Sequence, residues 1–408
     1  MRLLIVTQYF WPEDFRINDL AGELVRRGHE VTILTGLPNY PSGRILEEFR
    51  TDAQRFNTFQ GARVVRVPIV ARGSGGLRLV ANYVSFAVSA SLIGLWKLRG
   101  RGFDAIFAYE PSPITVGVPA ALMRAVKNAP LTLWVLDLWP ETLRAIGVIR
   151  SHAAINLIGK LVSAIYRRCD LILAQSRSFV PQIEARCPRG HRVEYFPSWA
   201  EAIFDSDDES EAPELPPKHG KFDIMFAGNI GDAQDFPAIL AAAERLKSHA
   251  DIRWLIVGDG RAAEWVSREI TRRGLQSSVV MLGRHSMERM PSFYRRADAL
   301  LVTLKNEPIF AMTIPGKLQT YLVAGVPILG MLNGEGSRVI ETAAAGLVCA
   351  AGDHEALSVA VLKMHSLTVA ERNAMGGRGR DYGRREFDRV RLMDRLEHWL
   401  MTVAKTVS

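Results

Sequence analysis

Two stretches of this chain repeat one pattern, short β-branched runs alternating with amphipathic helical spacing, and that alternation leaves few folds open. Leu3–Thr7 is a continuous apolar run, and Ile17, Leu20, Ala21, Leu24 and Val25 then share one helical face. Gly28 ends that helix and Val31–Thr35 begins the next strand. Further strands are expected at Val64–Pro68, Ala105–Ala108, Leu131–Leu136, Leu171–Ala174 and Val193–Phe196, with helices between most of them. Ser112 and Pro113 form an N-cap and N1 pair for one of these helices. The rhythm restarts at Asp223–Ala227 and continues through Trp254–Val257, Val279–Leu282, Leu300–Leu304, Pro327–Leu329 and Leu347–Ala350. Such repeats imply parallel sheets built from right-handed crossovers. The expected class is α/β, with two Rossmann-like doubly wound domains and a cleft between them.

The break in the rhythm sets the boundaries. Residues 205–221 (DSDDESEAPELPPKHGK) are acidic, proline-bearing and almost free of apolar side chains, as a linker or surface loop would be. The expected organisation is a domain over 1–200, a linker over 201–221, a second domain over 222–385 and a terminal helix over 386–408. Phe387, Val390, Met393, Leu396, Trp399 and Leu400 make one stripe on that helix.

With 408 residues, 48% of them hydrophobic and 23% charged, each half has the material for its own core. A formal charge of +8 favours anionic partners: nucleic acid, lipid headgroups or phosphorylated small molecules. The positive charge is scattered rather than gathered on one helix, which disfavours nucleic acid. Cys169, Cys187 and Cys349 are widely spaced and read as reduced thiols of a reducing compartment. The nine histidines include no HxH or HExxH, so no catalytic metal is expected. The N-terminal MRLLIVTQYFWPED reads as a first strand, with no cleavage site of a signal peptide behind it.

Leu79–Trp96 (LVANYVSFAVSASLIGLW) has the length of a membrane span and carries Arg78, Lys97, Arg99 and Arg101 at its ends. Its favoured reading is a largely buried helix of the first core. The alternative is a helix whose outer face dips into an anionic headgroup layer. A span is disfavoured because the strand–helix pattern continues on both sides.

In open parallel sheets ligands bind beyond the carboxyl ends of the strands. There the second half places Gly228-Asn229-Ile230-Gly231, Gly258-Asp259-Gly260, Arg284 after Gly283, and Pro315-Gly316-Lys317 at a helix start. Glycines admit a phosphate to the backbone, helix starts present free N–H groups, and Lys317 adds a point charge. A diphosphate seat follows; the plainer alternative is tight turns and an exposed cap lysine. The GxGxxG fingerprint is absent after the first strand and incomplete at Gly258, which disfavours a nicotinamide enzyme. In the first half the strand ends carry Asp14, Arg16, Glu110 and Asp137-Leu138-Trp139-Pro140-Glu141. Trp139 is placed to stack on a sugar while a carboxylate takes a hydroxyl hydrogen bond or proton; alternatively Asp137 caps a helix and Trp139 is core.

These segments resemble a known family. LAGELVRRGHEVTILT (20–35), IVGDGRAAE, VVMLGRHSMERMPSFYRRADALLV (279–302) and GLVCAAGDHEAL are similar to stock phrases of the retaining, GT-B-fold glycosyltransferases of family 4. DLWPE (137–141), AGNIGDAQ (227–234) and IPGKLQTYLVAGVPIL (314–329) resemble its L-fucosamine-transferase-like branch, which assembles bacterial O-antigen and exopolysaccharide.

The resemblance implies a nucleotide-sugar donor on the C-terminal domain, with Gly228, Asn229, Ile230, Gly231, Gly258, Gly316, Lys317 and Thr320 binding it. It also implies an acceptor of the polyprenyl-diphosphate-sugar class on the other domain, at Asp14, Arg16, Glu110, Trp139 and Glu141. Asp137, Lys317 and Arg284 would be catalytic, with no metal and no cofactor beyond the nucleotide-sugar. The final helix would cross back to the first domain. The expected location is the cytoplasm, peripheral at the anionic inner face of the cell membrane.

The departures are specific. Asn229 and Gln234 stand where the family has Arg and Lys, and Met312 and Thr320 where it has the EX7E glutamates, so the carboxylate expected on the nucleotide ribose is missing. Two readings therefore stay beside transfer: a nucleotide-sugar epimerase of the same fold, and a silent scaffold of a polysaccharide assembly complex.

Overall fold

The computed structural model describes residues 1–73, 75–145, 149, 151–205 and 211–407. The chain divides into two compact units, Met1–Pro197 with Val390–Ser408, and Ser198–Arg389.

The first unit is an eight-stranded sheet of β1 (Arg2–Val6), β2 (Glu30–Gly36), β3 (Thr58–Phe59), β4 (Ala62–Val67), β5 (Ala105–Glu110), β6 (Leu131–Val135), β7 (Leu171–Ala174) and β8 (Val193–Tyr195). Its order is β3-β4-β2-β1-β5-β6-β7-β8, and every pairing is parallel except β3 with β4. Leu3, Leu4, Ile5 and Val6 are wholly buried, as an apolar run covered on both faces of a parallel sheet must be. The two-residue strand β3 carries no periodicity for a sequence to show.

The Arg389–Val407 helix packs on this unit. Trp399 meets Phe196 edge-on, Arg27 reaches Asp394 and Glu397 at 2.7 and 2.8 Å, and His29 reaches Glu397 at 2.8 Å. Ser112 and Pro113 do not open a helix as N-cap and N1. The short 3-10 turn Ile114–Val116 follows Pro113, and the Ser112 hydroxyl accepts from the Trp139 indole at 3.3 Å.

The helical stretch Gly76–Lys97 is not the largely buried helix expected. About a third of it is buried, and it is long and apolar enough to cross a membrane by length and composition alone. Phe86, Ala90 and Leu98 face the core, and a Cβ at Gly94 would lie 2.9 Å from the Leu34 side chain. Leu77, Val80, Val84, Val88, Leu92 and Trp96 face outward. The helix joins β4 to β5 of one sheet with its inner face packed, so it is a crossover rather than a span.

The second unit is a six-stranded, all-parallel sheet of β9 (Phe222–Ala227), β10 (Ile252–Val257), β11 (Val279–Gly283), β12 (Ala299–Thr303), β13 (Ile328–Met331) and β14 (Gly346–Cys349), ordered β11-β10-β9-β12-β13-β14. The stretch read as a linker or surface loop is a mostly exposed loop over 211–221, fastened to this unit at a few points. Leu215 is buried in this unit's core, Glu214 pairs with Arg289 at 2.7 Å, and the Pro216 and Pro217 carbonyls accept from Arg253. One leucine and a set of arginine partners hold the strap down, and those partners lie far off in sequence. Residues 206–210 of the expected linker lie outside the described residues.

The Val369–Glu386 helix starts at a capping box, Thr368 with Glu371. Gly376, Gly379 and Gly383 let it press close to the Gly316–Ala324 helix. A Cβ at Gly376 would lie 2.0 Å from the Gly325 carbonyl oxygen.

Candidate active site

The strand order of the second unit reverses between β9 and β12, which is where an open α/β sheet forms its crevice. The loop leaving β9 occupies that point: the Thr303 hydroxyl donates to the Gln234 carbonyl, and Lys305 N–H donates to the Ala233 carbonyl at 2.9 Å. Two of the loop's amides are already engaged, Gly228 N–H with Val257 O at 2.9 Å and Ile230 N–H with Asp259 O at 2.8 Å. Among the described residues the Asn229 and Gly231 N–H groups have no protein acceptor. Of the four residues 228–231 expected at the donor, the pairing of the loop with the turn after β10 leaves the amides of Asn229 and Gly231 open among the described residues. The Ile230 side chain is wholly buried and serves the core.

Gly258 holds this arrangement by its lack of a side chain. Its φ is +138°, and a Cβ there would stand 1.9 Å from the Gly228 carbonyl oxygen. Gly258→Ala is expected to push the 228 loop away and to cost about 1–3 kcal/mol of stability. Thermal melts and nucleoside-diphosphate titrations check it, and unaltered affinity in a destabilised variant would separate this loop from the ligand.

The second wall is the Gly316–Ala324 helix. Pro315 is its N-cap, so Gly316 and Lys317 are N1 and N2, and their N–H groups have no acceptor within the helix. The space beside Gly316 is open. Tyr321, buried one turn on, accepts from Ala227 N–H at 2.9 Å and donates to Ala227 O at 3.2 Å, fastening the helix to the end of β9.

Lys317 brings the two walls together. Its Nζ donates to Gln234 Oε1 at 2.7 Å, lies 3.7 Å from the centroid of the Phe226 ring, and would be 3.3 Å from a Cβ on Gly228. No carboxylate pairs with it among the described residues, and burial pulls its ammonium down from 10.5 to about 7. Packing on an aromatic face offsets part of that cost. Glycine loop, helix start and amine thus converge on one seat for an anion.

Two further expected donor residues sit differently. Arg284 follows edge strand β11, separated from β9 by β10 and so about 10 Å away across the sheet. It is exposed and has no protein partner among the described residues. Thr320 is buried, and its hydroxyl donates to Glu201 Oε2 at 2.9 Å. Glu201 is a residue that sequence reasoning missed, because it lies 119 positions away.

The chain matches two family models: the "Glycosyl transferase 4-like domain" over residues 15–199 and "Glycosyl transferases group 1" over residues 207–382. It is a family 4 glycosyltransferase of GT-B fold. Among its relatives is WcaI of Escherichia coli (strain K12), named as a glycosyl transferase of colanic acid biosynthesis. The two are 26% identical over 340 residues, covering 80% of this chain and 82% of WcaI. Alpha-D-kanosaminyltransferase of Streptomyces kanamyceticus is 27% identical over 220 residues, 52% of this chain and 53% of that one. Among solved structures, Anabaena HepE in complex with UDP and glucose superposes with a TM-score of 0.71 at 13% identity, covering 98% of this chain and 99% of HepE. At that identity the likeness speaks for the fold.

In the transferase's first unit the expected acceptor residues are only partly brought together. Glu110 ends β5 and is wholly buried, and burial raises its carboxyl well above the usual range, with Asp137 adding to the effect. Asp137 is half-buried; its carboxylate accepts from the Thr142 hydroxyl and from the Trp139 indole at 3.2 Å, and burial raises it too. Trp139 is not an open stacking platform. It is 6% exposed, with its ring against Tyr83 and its N–H turned to Asp137. The apolar strand ahead of it delivers the ring into the core, and Pro140 carries the chain away.

Glu141 pairs with Arg186 at the mouth of a cavity of ≈ 570 Å³, lined also by Arg144, Lys160 and Arg167. Asp14 is exposed, and Arg16 is half-buried near Tyr109. The buried carboxylate of that loop is Glu13, which sequence reasoning passed over. It accepts from the N–H groups of Asn39 and Tyr40, both at 2.7 Å, and burial raises it to about 7.

Among the described residues no group of three or more His, Cys, Asp or Glu is placed to hold a metal ion.

Proposed function

We propose that this glycosyltransferase moves a hexose or amino-sugar from a nucleotide-diphosphate sugar to a membrane-associated, polyprenyl-diphosphate-linked saccharide in bacterial surface polysaccharide synthesis, with retention and without a metal. The observation that carries the donor half is Lys317, an amine that among the described residues has no counter-ion and lies beside free amides at 229, 231, 316 and 317. The HepE complex with UDP and glucose, and the naming of WcaI for colanic acid biosynthesis, support the donor class and the polysaccharide setting.

Charge grows on the departing nucleoside diphosphate as the glycosidic bond to it breaks. Fixed amide dipoles and the Lys317 ammonium stabilise that charge, which is the electrostatic duty a metal would otherwise take. Arg284, exposed and without a protein partner among the described residues, is assigned as the further cation for the leaving group. A diphosphate oxygen on the same face of the sugar takes the acceptor proton, so no separate base is required. Asp137, tied to Thr142 and Trp139, acts by positioning the 137–141 loop rather than by touching the sugar.

Thr320 and Glu201 are assigned to the nucleotide ribose, one turn along the helix from Lys317; the Glu201 carboxylate accepts hydroxyls there in place of a glutamate at position 320. Glu201→Gln is expected to raise the donor KM roughly tenfold with kcat little changed, since one hydrogen bond to a charged group is worth about 1.5–3 kcal/mol. An unmoved KM removes Glu201 from the donor site.

The deciding experiment incubates the protein with UDP-, GDP- and dTDP-sugars, with and without polyprenyl-diphosphate-linked saccharide, and follows the sugar into the organic phase. Transfer that needs the lipid acceptor supports the reading. Epimerised nucleotide-sugar without acceptor, or nucleotide binding with no turnover, overturns it.

A further inference from the structure

Resting on the membrane-surface reading above, we propose that the first unit carries a built site for an anionic phospholipid headgroup, at the cavity between β4 and the end of the Gly76–Lys97 helix. That cavity measures ≈ 830 Å³, and its walls include Phe49, Arg63, Arg66, Trp96, Lys97 and Arg99. Four of these six residues are cationic, and none of the cavity's lining residues is a carboxylate.

Arg66 is the telling member. It is 6% exposed, yet no carboxylate pairs with it among the described residues. Its two terminal nitrogens donate to the Gly36 and Trp11 carbonyls, and its Nε is buried with no acceptor. A buried guanidinium without a counter-ion is costly unless an anion in the cavity beside it supplies the opposite charge. Glu13 acts on it only at longer range. Arg99 stacks on Trp96 at 4.5 Å, and the exposed Arg63 completes a cationic rim.

The second, independent observation is what adjoins this cavity. Trp96 lines it and is also the last member of the outward apolar stripe, in which Leu77 is 89% and Leu92 67% exposed. A free phosphate would need the cations but would leave the stripe in water. A phospholipid uses both, with its phosphate at Arg63, Arg66 and Arg99 and its acyl chains along Leu92 and Val88. The shared chemistry is a phosphate monoanion or diester, and the stripe assigns it to the bilayer.

The test is sedimentation of the full chain with vesicles of phosphatidylcholine alone and of phosphatidylcholine with phosphatidylglycerol, alongside thermal melts with glycerol 3-phosphate. Wild type is expected to partition onto the phosphatidylglycerol vesicles. The exposed pair Arg63→Ala/Arg99→Ala, which leaves the fold untouched, is expected to partition roughly thirtyfold less, about tenfold for each 1.4 kcal/mol lost. Leu92→Ser/Trp96→Ser is expected to lose binding to the phosphatidylglycerol vesicles as well. Wild-type binding to phosphatidylglycerol that survives Arg63→Ala/Arg99→Ala overturns the headgroup site and leaves membrane docking standing. No wild-type binding to either vesicle overturns docking itself. Glycerol 3-phosphate raising the melting temperature while vesicles bind nothing assigns the cavity to a soluble phosphate and overturns the lipid.

Discussion

Lys317→Ala is expected to lower kcat by about 10²–10³-fold, the cost found when one preorganised charge-stabilising donor is removed from an active site. The loss should be larger in kcat/KM than in kcat, because the amine already meets the diphosphate in the bound donor and meets its full charge only as the sugar departs. Stability should not suffer. The amine is held down near 7 by burial, which means that the folded chain keeps Lys317 at a cost, and an apolar substitute removes it. Lys317→Met should therefore melt at a higher temperature than wild type at neutral pH while turning over far more slowly. Near-normal turnover in either variant would take Lys317 out of the mechanism, and a collapsed fold would make it structural.

Donor binding is expected to take up a proton. Free Lys317 titrates near 7, and a diphosphate placed against it raises that value. Above pH 7 and below the value reached in the complex, the bound form holds a proton that the free form lacks, so affinity falls about tenfold per pH unit as pH rises. Below pH 7 the amine is charged in both forms and the dependence on this group vanishes. The groups packed against it are Gln234, the Phe226 ring and the Gly228 backbone, none of which titrates. Calorimetric titration of a nucleoside diphosphate in buffers of different ionisation enthalpy measures the proton directly. Wild type should show uptake approaching one proton near pH 8, and Lys317→Met none. A flat profile in wild type would place the phosphates elsewhere.

The stability linkage runs the same way. Because the folded value lies below the unfolded 10.5, the unfolded chain binds the extra proton between about 7 and 10.5. The contribution of Lys317 to stability therefore rises with pH across that window.

Much of the architecture was legible because it rests on periodicity. The runs at Leu3, Val31, Leu131, Trp254 and Leu300 all became central or near-central parallel strands, since a strand buried on both faces needs an unbroken apolar run. Thr58–Phe59 escaped because an edge pairing of two residues leaves no pattern. The acidic stretch before β9 is the surface loop its composition suggested, but its anchors were not legible. Its composition is that of solvated chain, but Leu215 and two proline carbonyls are held by residues scattered from 253 to 296.

The proposed donor seat was legible in part. Glycines at strand ends and a lysine at a helix start are local signals, and both loops meet as their chemistry required. Which amides stay free is not local. Gly228 and Ile230 give theirs to the turn after β10, and only the sheet order reveals it. Gln234, seen in sequence as a missing cation, is the acceptor that holds the Lys317 amine. Glu201 and Tyr321 reach the site through contacts with no spacing signature. Trp139 stood open to two readings in the sequence, a sugar platform or a core ring, and it is 6% exposed.

A crystal structure of the protein soaked with a nucleoside diphosphate tests the donor seat most directly. Density for the two phosphates within hydrogen-bonding distance of the Gly231 and Gly316 amides and of Lys317 Nζ is the predicted result. Diphosphate bound away from those groups, with Lys317 still closed onto Gln234, would contradict it.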